Sequence, residues 1–180
     1  MRSIALSSFR DKPHEAPFVG PPWYVAGAWL AAAILIQATI GHYLAIRNVV
    51  PSFVLVVVVW YSIRVDARRA ALCGIAAGFL EDALSAQTGA AWTISTCLSA
   101  MLASRLSRGF FADSIPLAAT VTIVATLIRA LLFWIVMALS GYPRGLAVLH
   151  FHEAVLQAAL NALAIVAAIL VGRRFDVAPA

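Results

Sequence analysis

The chain has 180 residues, of which 63% are hydrophobic and 12% are charged. Soluble domains carry about 25% charged and about 45–50% apolar residues, so this composition excludes a soluble monomeric domain and indicates a membrane protein. The formal net charge is +5, but the basic residues are scattered between apolar runs and form no basic face. We therefore predict that the protein binds membrane lipid and no nucleic acid.

The N-terminal part of the chain changes from a polar tail to apolar runs. Residues 1–22 are polar and rich in proline, lack a signal-peptide pattern, and are expected to form a flexible cytoplasmic tail. The first apolar run, 23–46, exceeds the ~20 residues that a membrane-spanning helix needs. The second begins at Pro51, a residue suited to a first helical turn, and ends at Arg64.

Four further apolar runs follow, each bounded by polar residues, glycine or proline. They cover 70–86, 90–106, 114–140 and 151–172. Together the runs predict an all-α, polytopic transmembrane bundle of about six helices over 23–174, with a short cytoplasmic tail at 175–180.

The second and third runs are short enough to form a re-entrant hairpin instead of two spans. Charge counting favours the spans. With six spans and the N-terminus inside, ten Lys and Arg residues fall in cytoplasmic segments, whereas Arg47 and Arg144 fall in outer loops. This positive-inside bias predicts a multi-pass protein of the bacterial inner membrane with both termini in the cytoplasm.

Polar residues inside the apolar runs are costly and mark places where function is expected. Arg129 lies deep in the fifth run, and Glu153, Gln157 and Asn161 follow at four-residue spacing on one face of the sixth. We expect Arg129 to meet Gln157 or Asn161 and to reach toward Glu153. Two interpretations stay open: a structural network that fixes helix register, or a pocket for a ligand or partner.

Glu81 and Asp82 are adjacent near the end of the third run. Neighbouring helical positions point ~100° apart, so the two carboxylates cannot share a face as a general acid–base pair. We expect Glu81 to cap the turn at 87–89, and we expect Asp82 to belong to that turn or to a partner surface. Gly74 and Gly78 have a spacing that permits close helix packing, although such matches are common in an alanine-rich chain.

No residue pattern indicates catalysis or metal binding. The histidines lack the helical spacing of a zinc site, and Cys73 and Cys97 lie in apolar runs without a metal-binding or redox motif. We predict a protein that is not an enzyme and that has no cofactor and no metal.

The second and third runs carry a family pattern. The second run opens with Pro-Ser-Phe-Val-Leu at 51–55, and the third contains Gly-Phe-Leu-Glu-Asp-Ala-Leu-Ser at 78–85. This resembles the rod shape-determining protein MreD family, in which a P-[DS]-x-x-L span leads to a basic turn and a G-[FL]-x-x-D-x-[LF]-S segment. The matching positions are Pro51, Arg64, Gly78, Asp82, Ser85 and Gly89.

The resemblance implies a non-enzymatic scaffold subunit of the cell-elongation complex. Such a subunit pairs with the bitopic protein MreC and links MreB filaments to the peptidoglycan synthases RodA and a penicillin-binding protein, and so controls cell shape. The resemblance also implies a bundle similar to the substrate-binding subunits of energy-coupling-factor transporters. A vitamin-binding transporter subunit is therefore the alternative, although the outer loops are poor in the polar and aromatic residues of a small-ligand site.

Overall fold

The computed structural model describes residues 20–85, 89–108, 114–141 and 143–176. Over these residues the chain forms six α-helices and no strand, which confirms the predicted all-α class. The helices are α1 (Trp23–Thr39), α2 (Phe53–Ser62), α3 (Ala67–Ser85), α4 (Ala91–Leu106), α5 (Ile115–Leu139) and α6 (Ala147–Asp176). The two predicted tails lie mostly outside the described residues.

The first helix ends earlier than the apolar run predicted. After Thr39 the chain forms a short 3-10 turn over Gly41–Leu44 and then a tight turn closed by Ile46 and Val49, whose backbone groups exchange hydrogen bonds of 3.0 Å. Arg47 and Asn48, at the tip, have φ angles of 52° and 65°. The apolar composition continues to residue 46, but the helix ends just before Gly41, a residue of low helix propensity.

Helix length and hydropathy differ widely among the six helices. Of the described residues, Ile115–Leu139 and Ala147–Arg174 are long and apolar enough to cross a membrane, with mean hydropathies of 2.3 and 2.4. In contrast, α2 has 10 residues, which rise ~15 Å, about half of a ~30 Å hydrocarbon core.

The short helix α2 lies at the centre of the bundle and contacts the five other α-helices. Leu55, Val58 and Val59 are fully buried. One face packs on α1 and α3, and the other packs on α4, α5 and α6. A helix that is apolar on all sides is expected in such a position.

Helices α3 and α4 form an antiparallel hairpin whose contact depends on two glycines. A Cβ atom added at Gly78 would lie 2.5 Å from both Thr93 Cα and Trp92 O, and one added at Gly74 would lie 2.8 Å from Cys97 Cα. No side chain fits at these distances, so the glycines set the helix separation. Asp82 lies one further turn along the same face of α3.

Candidate functional site

The candidate site is centred on Arg129, which lies in the interior of α5 and is 3% exposed. Its Nη2 donates to Glu81 Oε2 on α3 at 2.6 Å, and its Nη1 donates to Ser52 Oγ at 3.0 Å. The guanidinium carbon also lies 4.3 Å from the centre of the Trp92 ring. A buried cation thus has a carboxylate, a hydroxyl and an aromatic face as partners, which offsets its desolvation.

The partner of Arg129 differs from the one expected from the sequence. The Glu81 side chain is 11% exposed, whereas Glu153 is exposed on α6 and borders a cavity beside Arg129. A shielded carboxylate interacts with a guanidinium more strongly than one that water screens. Glu81 therefore forms the ion pair with Arg129. Residues 86–88 lie outside the described residues, so the expectation that Glu81 caps the turn at 87–89 stays a prediction.

The amides of α6 contact the chain around the start of α2. Asn161 Oδ1 accepts from Ser52 N at 2.7 Å and Asn161 Nδ2 donates to Thr126 Oγ1 at 3.1 Å, while Gln157 Nε2 donates to Val50 O at 3.0 Å. Irregular backbone inside a membrane protein needs such partners because lipid offers none. The Gln157 and Asn161 stripe therefore binds the non-helical segment that precedes α2, and among the described residues no hydrogen bond joins Asn161 to Arg129.

Ser52 joins these two sets of contacts. Its hydroxyl accepts from Leu55 N at 3.3 Å as the N-cap of α2, and it also accepts from Arg129. An N-cap serine stabilises the first turn of a helix. Arg129 and Asn161 thus both bind Ser52, one through its side chain and one through its backbone.

Asp82 has a different role from its neighbour Glu81. It accepts from Trp92 N at 3.1 Å, from Thr93 N at 2.8 Å and from Thr93 Oγ1 at 2.6 Å. The residue at the N-cap of α4 is Ala90, which makes no side-chain cap. Asp82 therefore caps α4 from the adjacent helix, and its negative charge lies at the positive end of the α4 dipole.

This geometry gives physical roles to most positions of the family pattern. Gly78 permits the close approach of α4, Asp82 caps it, and Gly89 has a φ of 59°, which favours glycine in the turn between them. Pro51 directly precedes the N-cap of α2. Arg64 lies just beyond the other end of α2, where its Nη1 donates to Trp60 O at 2.9 Å.

Cavities of about 330 Å³ and about 190 Å³ flank Arg129 and share Trp92, Arg129 and Gln157 as walls. The larger has an aromatic wall, in which the Phe133 ring centre lies 4.0 Å from that of Trp92 and 5.5 Å from that of His150. Ser85, the remaining family position, borders the smaller cavity. Within the described part of the chain, Arg129 Nε has no hydrogen-bond partner.

Sequence reasoning found Arg129, Gln157 and Asn161 but missed Ser52, Thr126 and Trp92. Ser52 had a usable signal, because a serine after a proline and before an apolar run is a typical N-cap. No sequence signal indicated Thr126 or Trp92, since threonine and tryptophan are ordinary residues of apolar helices. In the described ranges, no three His, Cys, Asp or Glu side chains are grouped as metal ligands.

The bundle and its buried polar network define the class of the protein. Apolar helices enclose a charged residue that the bundle itself neutralises, as expected for an integral membrane protein. A family model described as rod shape-determining protein MreD matches residues 22–176. The chain belongs to the MreD family of membrane proteins that determine rod shape, which confirms the resemblance at 51–89. No curated protein and no solved structure matches the chain.

Proposed function

We propose that this chain is a non-enzymatic subunit of the bacterial cell-elongation complex. In this role it binds an MreC-like bitopic protein and so helps to link MreB filaments to the RodA and penicillin-binding-protein synthases. The observation that carries the proposal is the family match over 22–176, which includes all six described helices.

The use of charge inside the bundle supports a scaffold over an enzyme. Glu81 is paired with Arg129, and Asp82 is hydrogen-bonded to the first turn of α4. A catalytic acid or base needs access to a substrate proton, whereas these carboxylates contact other helices. Such contacts hold the helices in a fixed arrangement, which a scaffold requires.

The proposed topology has six spans with both termini in the cytoplasm of the inner membrane. Its main support is the positive-inside count. The short α2 fits this topology because the other helices surround it and because α6 amides satisfy the backbone before it.

Single cysteines test this topology. In a background without Cys73 and Cys97, we expect Asp66→Cys to be protected from an impermeant thiol reagent in intact cells and Gln87→Cys to be labelled. Residue 87 lies outside the described residues, and its placement is a prediction from the sequence. Labelling of residue 66 from outside would overturn the topology.

Depletion in a rod-shaped host tests the function. We expect wide or rounded cells, and we expect an MreC-like protein and elongation synthases to copurify from native membranes. The alternative, a vitamin-binding transporter subunit, would instead reduce nutrient uptake at normal cell width and copurify with an ATP-binding module. Normal width after full depletion would contradict the elongation role.

A further inference from the structure

A second polar region lies at the opposite end of the α3–α4 hairpin from Asp82. Here the start of α3 and the end of α4 border a cavity of about 570 Å³. Its principal lining residues are Asp66, Arg68, Ala71, Met101, Arg105 and Arg108. We refer to it as the arginine cavity.

The arginine cavity carries excess positive charge. Its lining has three guanidinium groups and one carboxylate, and the three arginines are exposed. The carboxylate has other contacts: Asp66 Oδ2 accepts from the backbone N of Arg68 at 3.2 Å, and Oδ1 lies 3.7 Å from Arg69 Nε, outside the cavity lining. Within the described residues, no ion pair neutralises Arg68, Arg105 or Arg108.

The polarity of the cavity changes over one helical turn. Ala71 lies three residues beyond Arg68 on α3, and Met101 lies four residues before Arg105 on α4. A rise of ~5 Å therefore separates the cationic rim from an apolar wall. The cationic rim alone would be enough to bind a soluble anion, and the apolar wall would have no role. A phospholipid presents a charged phosphate beside methylene groups, and this arrangement matches both parts.

We propose that the arginine cavity binds the phosphate headgroup of an anionic phospholipid from the cytoplasmic leaflet. Arg68, Arg105 and Arg108 donate charge-assisted hydrogen bonds to the phosphate oxygens. Ala71 and Met101 contact the first methylene groups of the acyl chains. Basic pockets between helices on the cytoplasmic side of membrane proteins bind such headgroups. The inference depends on the proposed topology, which places this end of the hairpin at the cytoplasmic surface, and it does not depend on the proposed partners.

The test is lipid binding to the purified full chain in non-ionic detergent, measured by native mass spectrometry. The probes are phosphatidylglycerol and phosphatidylcholine with identical acyl chains. We expect one phosphatidylglycerol to bind in preference to phosphatidylcholine. One juxtamembrane arginine contributes about fivefold in affinity, so Arg68→Gln/Arg105→Gln should weaken phosphatidylglycerol binding about 25-fold. Arg174→Gln, which removes one positive charge from the end of α6, should change phosphatidylglycerol binding by no more than about twofold, against about fivefold for Arg108→Gln alone.

Several outcomes would overturn the proposal. These are equal binding of the two lipids by the wild type, unchanged phosphatidylglycerol binding by the double variant, or an equal loss in Arg174→Gln. Displacement of the lipid by inorganic phosphate at millimolar concentration would assign the cavity to soluble anions instead. If the double variant does not fold, Arg108→Gln alone should still weaken binding about fivefold. Cell width is a separate measurement, so failure of lipid binding leaves the test of the elongation role intact.

Discussion

The two ends of the α3–α4 hairpin use charge in opposite ways. At the turn between the helices, Glu81 pairs with Arg129 and Asp82 caps α4, so the bundle itself satisfies both carboxylates. At the other end, the arginine cavity has three guanidinium groups and one carboxylate. Burial explains the difference. Burying a charge without a partner lowers stability by several kcal/mol, whereas an exposed charge is hydrated and needs no partner within the protein. An exposed charge is therefore available to bind a ligand.

The largest effect is expected from breaking the buried pair. Arg129→Leu leaves the Glu81 carboxylate buried without its cation, and Glu81→Leu leaves the Arg129 guanidinium buried without its anion. Each variant should therefore lower the free energy of unfolding by ~3–5 kcal/mol. The double variant Arg129→Leu/Glu81→Leu should recover most of this loss, because neither charge then remains. Melting in detergent and the abundance of folded protein in membranes measure the effect.

Glu153→Gln is the matched control for this prediction. Glu153 is exposed on α6, so its substitution should change stability by less than ~0.5 kcal/mol. A loss as large as that of Glu81→Leu would show that Glu153 is the partner of Arg129 after all. Full abundance and normal cell width with Arg129→Leu would mean that the pair has no structural importance.

A smaller effect is expected at the glycine contact between α3 and α4. Gly78→Ala places a Cβ atom 2.5 Å from Thr93 Cα and Trp92 O, so the two helices must separate. Overpacking of this kind costs ~1–3 kcal/mol. Gly27→Ala is the control, since a Cβ atom at Gly27 meets no atom within 4 Å. The two variants should differ in melting temperature in detergent, and equal melting would contradict the close packing at Gly78.

Much of the fold was accessible from the sequence, because hydropathy alone located six apolar runs and the structure has a helix in each. The prediction that Glu81 and Asp82 do not share a helix face also followed from helix geometry, and the two carboxylates contact α5 and α4 respectively. Their partners could not be predicted in the same way. Which helix each residue faces depends on the close approach at Gly78, and this is a property of tertiary packing.

The partner of Arg129 could not be predicted from the sequence for the same reason. Sequence reasoning placed it opposite α6 because consecutive helices are commonly neighbours. The central position of the short α2 instead brings Ser52 to the guanidinium and leaves the α6 amides to bind the backbone before α2. Among the described acidic residues near this end of the bundle, Asp82 contacts α4, which leaves Glu81 and Glu153 as the possible partners of Arg129.

The smallest effect on stability is expected at Asp82, where structure and partner binding can be separated. Asp82→Asn keeps one acceptor oxygen for the start of α4 but loses the negative charge and the second acceptor. The cost should be ~0.5–1 kcal/mol, because one capping oxygen remains while the second acceptor and the interaction with the helix dipole are lost. Membrane insertion should be unchanged.

Thr93→Val provides the matched comparison, because it removes the hydroxyl that donates to Asp82 at 2.6 Å and keeps the carboxylate. Both variants should lower the melting temperature by similar amounts. If the carboxylate also belongs to the surface that binds the MreC-like partner, Asp82→Asn should reduce copurification of that partner and widen the cells, and Thr93→Val should not. Equal partner recovery from the two variants at equal abundance would confine Asp82 to capping α4. In that case, of the two ends of the α3–α4 hairpin, the arginine cavity would bind a molecule from outside the bundle and the end with Asp82 would not.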